Sequence, residues 1–181
     1  MTRRFYARAT AIAAASFAIS FSVIAVTDPL PRIVWNASAS APIGLYRIQP
    51  DPDPPLGMLV AVAPPQHLSR WMAVRGYLGE NVPLLKHVAA KSGQRVCRIG
   101  GTVTVDGQAV TLALTHDRLA RPLPVWRGCR TLRADELLLL NPAHPDSLDG
   151  RYFGPLPATT VLGRAIPILT RNTPDTPLIW R

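Results

Sequence analysis

Ser38 and Ser40 stand one residue apart among alanines in "NASASAPIGLYR", in a chain that has only eight serines. Lys86, one of only two lysines, lies in the apolar stretch "PLLKHVAA". A hydroxyl becomes a strong nucleophile when a neighbouring base takes its proton. A lysine serves as that base only while its amine is neutral. An unperturbed lysine is neutral in about one molecule in a few thousand at pH 7, and burial lowers its pKa by about 3–5 units. In a strand through 83–90, Leu84, Lys86, Val88 and Ala90 share one face, and Leu85, His87 and Ala89 share the other. Lys86 therefore falls on an apolar face. Lys91 opens the polar turn "KSGQR" and is expected to stay solvated. The plainer reading of Lys86 is an edge-strand lysine that extends its amine to water.

If residues 36–41 are extended, Asn36, Ser38 and Ser40 project to one side, and Pro42 biases Ala41 towards that geometry. Two hydroxyls flanked by alanines leave room for a peptide backbone to approach. One can attack a carbonyl while the other, or a backbone N–H, stabilises the oxyanion. Asn36-Ala37-Ser38 also fits the N-x-S glycosylation acceptor. Other constellations are weaker. His67, His87, His116 and His144 lie in no recognisable triad motif, and there is no G-x-S-x-G elbow. His144, Asp146 and Asp149 in "HPDSLD" are of metal-ligating types, but Pro145 makes the stretch read as a polar turn. No metal site and no cofactor are expected.

The elements that must position these residues are mostly strands. "GLYRIQ" (44–49), "GMLVAVA" (57–63), "PLLKHVAA" (83–90), "QRVCRI" (94–99), "LLLLN" (137–141) and "TVLGRAIPIL" (160–169) all read as strands. "TVTVDGQAVTL" reads as a hairpin turning at Asp106-Gly107, and "HLSRWMAVRGYL" (67–78) as one helix. The 19 prolines fit a chain of many loops and few long helices. The expected fold class is mainly β.

At the amino terminus Arg3, Arg4 and Arg8 precede a run with no charge before Asp28. A helix over 9–27 would extend about 28 Å, close to the thickness of one bilayer core. Arginines ahead of the run predict a cytoplasmic amino terminus and a translocated body. The alternative is a cleavable signal peptide ending at Val23-Ile24-Ala25. In an oxidising compartment Cys97 and Cys129, the only cysteines, are disulfide candidates. The net charge of +9 comes from arginines scattered along the chain, which suits a surface near anionic lipid better than a nucleic-acid groove. The expected organisation is a cytoplasmic terminus (1–8), a transmembrane anchor (9–27), a linker (28–35), a β-rich domain (36–170) and a tail (171–181). Eight residues from Asp28 to Asn36 would keep the serines near the bilayer surface.

Three blocks occur in order behind the apolar segment: "SASAPIGLYR", "RGYLGENVPLLKHVAAKSGQRVC" and "PDSLDGRYFGPLPATTVLGRA". Together they resemble the type I signal peptidase (leader peptidase) family and, within it, the TraF-type peptidases of conjugal transfer systems. The resemblance implies a signal-peptidase-like β-rich catalytic domain with a Ser–Lys dyad. It puts the nucleophile on Ser40, the general base on Lys86, and an additional oxyanion hydroxyl on Ser38 beside the Ser40 N–H. Ser147, Asp149 and Arg151 fall on the element that supports the lysine. His87 stands where the family usually has arginine, and Gly150 where it usually has serine. The function implied is a single-pass serine endopeptidase, its catalytic domain on the periplasmic side of the inner membrane, that processes an exported precursor such as a conjugative pilin. Its implied partners are that precursor, the membrane and the conjugative transfer apparatus, with no nucleic acid. The alternatives are a general type I signal peptidase and a non-catalytic subunit of the transfer apparatus.

Overall fold

The uncharged run near the amino terminus is helical in the computed structural model, which describes residues 3–27 and 32–181 of the chain. Helix α1 spans Arg3–Thr27, 25 residues, and is long and apolar enough to cross a membrane. At about 1.5 Å per residue it extends roughly 37 Å. Three of its hydroxyls bond within the helix: Ser20, Ser22 and Thr27 donate to the carbonyls of Ser16, Ala18 and Val23 at 2.8–2.9 Å. That arrangement suits an environment without water.

Arg32–Arg181 form a separate unit. In chain order it carries β1 (Ile33–Asn36), β2 (Ile43–Gln49), β3 (Leu59–Val62), α2 (Gln66–Val74), β4 (Leu84–Ala90), β5 (Arg95–Ile99), β6 (Thr102–Val105) and β7 (Gln108–Leu112). There follow β8 (Gly128–Thr131), β9 (Glu136–Leu140), α3 (Gly150–Phe153), β10 (Leu156–Pro157), a 3-10 turn (Ala158–Thr160), β11 (Val161–Arg171) and β12 (Ile179–Trp180). The larger sheet runs β1-β2-β11-β3-β4-β9-β10, with β12 paired to β11, and the smaller runs β7-β6-β5-β8. The protein is mainly β, as the alternating pattern implies.

Packing follows from the alternation. One core cluster holds Val34, Tyr46, Ile48, Ala61 and Leu85, and another holds Val60, Val62, Val88, Leu137 and Leu139. A third joins Ala90, Leu138 and Leu140 of the larger sheet to Val96, Val103, Val105 and Leu132 of the smaller. The register of β4 on β9 shifts between Val88 and Ala90, an irregularity that re-aims the strand between two clusters. The hairpin turns where expected: Asp106 and Gly107 have φ of 48° and 83°. Positive φ at both central residues gives the twist that joins two antiparallel strands tightly.

Several boundaries differ from the sequence reading. The helix expected over 67–78 ends at Val74, because Gly76 adopts φ 69° and turns the chain out of the helix. Of the expected linker, residues 28–31 lie outside the described residues, while Ile33–Asn36 form strand β1 against β2. Strand β8, with all four residues exposed, carries no apolar alternation. Its pairing with β5 defines it, Cys129 lying opposite Cys97, and the two cysteines form a disulfide. The expected tail contributes β12, which pairs with β11 through Leu169↔Trp180 and Thr170↔Ile179.

Candidate active site

Strand β1 ends at Asn36 and β2 begins at Ile43, and the intervening chain folds back as a turn rather than continuing extended. Asn36 is the reason. Its buried side-chain amide donates to the carbonyls of Ser38, Ala41 and Pro42 at 2.9, 3.1 and 3.0 Å. Its carbonyl oxygen accepts from the Ser38 N–H at 3.0 Å and the Ser38 hydroxyl at 2.8 Å. Tyr46 adds a 2.6 Å bond from its hydroxyl to the Pro42 carbonyl. An amide engaged in this way is a structural part of the turn, which corrects the glycosylation reading of Asn36. The geometry expected for Ser38 and Ser40 is corrected too, although their hydroxyls still lie 3.1 Å apart. Ser38 is exposed and Ser40 half-buried, so both can be reached from outside.

Lys86 is on a central strand, not an edge: β4 pairs with β3 on one side and β9 on the other. Lys86 lies opposite Val60 and shares its face of β4 with Leu84 and Val88. It is only 4% exposed, which overturns the snorkelling alternative. Its Nζ is 2.8 Å from Ser147 Oγ and 3.4 Å from Ser40 Oγ. Burial pushes the amine down to about 8, with the nearby Asp149 carboxylate opposing that shift and the Arg151 guanidinium adding to it. Asp149 lies close enough to act electrostatically but is already committed to Arg151. Lys91, by contrast, pairs with Asp53 near the surface.

Ser147, Asp149 and Arg151 are all buried. Arg151 Nε and Nη2 donate to the two Asp149 oxygens at 2.8 and 3.0 Å, and both side chains are fully buried. A buried pair of this kind holds only when its remaining hydrogen bonds are satisfied. Here Arg151 also donates to the carbonyls of Pro145 at 3.1 Å, Leu112 at 3.3 Å and Asn141 at 2.8 Å. Asp149 caps α3 by accepting from the Arg151 N–H at 3.1 Å. This frame closes the 141–149 loop and presents Ser147 to Lys86. His144 and Asp146 stay exposed on its outer side, Asp146 paired with Arg118.

The sequence reading did not single out Asn141, Tyr46 or Arg98. Arg98 is buried and donates to the Arg151 carbonyl at 2.6 Å and the Pro124 carbonyl at 3.1 Å. A groove of about 840 Å³ opens over Ser38, Ser40, Lys86 and Ser147. Leu84, Leu114, Leu123 and Tyr152 give it apolar walls, and Trp35 stands beside the serine turn. A half-exposed hydroxyl beside a buried amine, in a groove wide enough for an extended chain, is suited to attack on a peptide carbonyl. Among the described residues no group of three or more His, Cys, Asp or Glu side chains converges.

Comparison with known proteins agrees with this chemistry. A family model described as signal peptidase, peptidase S26, matches residues 3–170. The chain is 38% identical over 146 residues to a probable conjugal transfer protein TraF of Sinorhizobium fredii, covering 75% of this chain and 76% of that protein. It is 34% identical over 147 residues to the conjugal transfer protein TraF of Agrobacterium fabrum, covering 75% and 81%. A plasmid transfer protein TraF of Escherichia coli is 30% identical over 145 residues, again covering 75% and 81%. Among solved structures, a signal peptidase I of Enterococcus faecalis is 18% identical with a TM-score of 0.37, covering 62% of this chain and 96% of that one. With the family match extending from the amino-terminal helix to the last long strand, and TraF proteins among its relatives, this chain belongs to the signal peptidase, peptidase S26, family.

Proposed function

We propose that the chain is a membrane-anchored serine endopeptidase with a Ser40–Lys86 dyad that processes an exported precursor, a conjugative pilin, on the periplasmic face of the inner membrane. The observation that carries the reading is the 3.4 Å approach of Lys86 Nζ to Ser40 Oγ, with the lysine buried and its amine pushed down to about 8. At that value about a tenth of the molecules hold a neutral amine at pH 7, roughly three hundred times the fraction of a free lysine. Ser40 Oγ attacks the scissile carbonyl and passes its proton to Lys86 Nζ. The Ser40 N–H and the Ser38 hydroxyl then hold the oxyanion. Ser38 rests against Asn36 and beside Ser40, so a rotation about its Cα–Cβ bond redirects its hydroxyl to the oxyanion. Lys86 returns the proton to the leaving amine, and the acyl-enzyme is hydrolysed by a water that Lys86 activates in turn.

Ser147 orients the amine, and the Asp149–Arg151 pair anchors the loop that carries Ser147. Arg3, Arg4 and Arg8, at the start of α1 and ahead of its uncharged run, favour an amino terminus on the cytoplasmic side. The conjugative substrate is supported by the relatives that are named conjugal transfer protein TraF. The test is cleavage of a co-expressed pilin precursor in membranes by wild type, Ser40→Ala, Lys86→Ala and Lys91→Ala. Loss of cleavage in the first two variants alone is the expected result. Wild-type processing by Ser40→Ala, in cells lacking another enzyme for that precursor, would overturn the assignment.

A further inference from the structure

Asn141 is 1% exposed, and each of its four polar groups has a partner. Its N–H donates to Asp149 Oδ2 at 2.9 Å, and its carbonyl accepts from Arg151 Nη2 at 2.8 Å. Its side chain turns the other way, towards β4. Nδ2 donates to the Leu85 carbonyl at 2.9 Å, and Oδ1 lies 2.9 Å from His87 Nδ1. A carbonyl can only accept, so the amide nitrogen must face Leu85 and the amide oxygen must face His87. That oxygen also only accepts, so His87 carries a proton on Nδ1 whatever the charge of the ring.

The sheet explains why an asparagine is needed there. The β4–β9 register pairs His87 with Leu140, and its next rung of the same kind would place Leu85 opposite Pro142. Proline has no N–H to give, so the ladder cannot continue. The Asn141 side chain supplies the missing donor. It thereby grips both neighbours of Lys86 in the chain, while its own backbone is gripped by the Asp149–Arg151 pair.

We propose that Asn141 and His87 are a positioning pair that fixes strand β4 against the 147–151 segment, and so sets the distances from Lys86 Nζ to Ser147 and Ser40. The inference rests on the dyad reading above. His87 alternates with Lys86 along the strand and acts through Asn141, not by touching the amine.

The test uses the full chain in detergent micelles with a purified pilin precursor, and compares His87→Leu, His87→Asn and Asn141→Leu. His87→Leu removes the donor, whereas an asparagine at 87 keeps an N–H near the position of Nδ1. A misplacement of about 1 Å costs up to about a hundredfold in rate. The expected result is a kcat at least about tenfold lower for His87→Leu with KM within about twofold, and recovery to within about threefold of wild type in His87→Asn. Where Asn141→Leu folds, a double variant combining it with His87→Leu should be no slower than the slower single one, because both remove the same tie. A wild-type kcat in His87→Leu, or an equal loss in His87→Asn, overturns the inference. Either result with an inactive Ser40→Ala leaves the dyad standing, whereas an active Ser40→Ala removes the reading on which the pair depends.

Discussion

Ser147 Oγ lies 2.8 Å from Lys86 Nζ, closer than the 3.4 Å between that nitrogen and Ser40 Oγ. A hydroxyl can accept from a charged ammonium and donate to a neutral amine, so Ser147 is a partner in both protonation states. Hydrogen bonds to charged groups contribute about 1.5–3 kcal/mol. Ser147→Ala is therefore expected to lower kcat by about ten- to a hundredfold with little change in KM, as read from steady-state cleavage. Cleavage at the wild-type rate would remove Ser147 from this role.

The pH profile should follow the Lys86 amine, which burial pushes down to about 8. The reaction needs the neutral form, so kcat/KM is expected to rise by about tenfold per pH unit below that value and to level off above it. Lys91→Ala should leave the profile in place. An acid limb centred near 10.5 would mean that the base is a solvated lysine.

Stability should show the reverse side of that shift. Below about pH 8 Lys86 is charged in both folded and unfolded chains, and the full cost of burying the charge is present. Between about 8 and the unfolded value of 10.5 the unfolded chain binds the extra proton, so this cost fades as pH rises. Lys86→Met removes the titration and is expected to gain up to about 3 kcal/mol at pH 7 relative to its effect near pH 10.5. Thermal midpoints at the two pH values measure the difference. An equal effect at both would mean that the amine is not destabilised by burial.

The Cys97–Cys129 disulfide closes a sequence separation of 32 residues between β5 and β8, and neither cysteine lines the groove. Replacing both with serine should lower stability by about 3–4 kcal/mol in the chain-entropy model. Cleavage below the lowered melting transition should be unchanged. Comparing melting curves and rates of the two proteins separates the effects. A large loss of kcat in the folded variant would mean that the smaller sheet contributes to the site.

The structure gives a local reason for a glycine at position 150. A Cβ there would come within 2.8 Å of Leu138 Cδ1 and 2.9 Å of the Leu139 carbonyl oxygen. A side-chain carbon can shift, but a strand carbonyl cannot do so cheaply. Gly150→Ser is expected to destabilise by about 1–3 kcal/mol, the usual cost of overpacking. A denaturation midpoint equal to that of wild type would show that α3 moves freely from β9.

The amino-acid sequence alone determined what depends on local pattern. Period-2 apolar alternation announced most of the strands, and the Asp106-Gly107 pair announced the hairpin, because only a few turns match strand twist. A long uncharged run announced α1, because its length and composition are enough to cross a membrane. The apolar flanks of Lys86 were enough to prefer it to Lys91. Short or exposed elements stayed silent: β1, β8 and β12 hold four, four and two residues and exist through their partners.

Tertiary structure decided everything that depends on contacts between distant segments. Ser40 and Lys86 are 46 residues apart, and Lys86 and Ser147 are 61 apart, so no window along the chain could show their distances. It also decided that Lys86 is central, because strand order is set by pairing and not by any property of one strand. Asn36 and Asn141 illustrate the same limit. Asparagine in a sequence reads as a turn or a glycosylation acceptor, but once buried its amide must satisfy both donor and acceptor. Burial turned these two residues into the ties that hold the serine turn and the lysine strand in place.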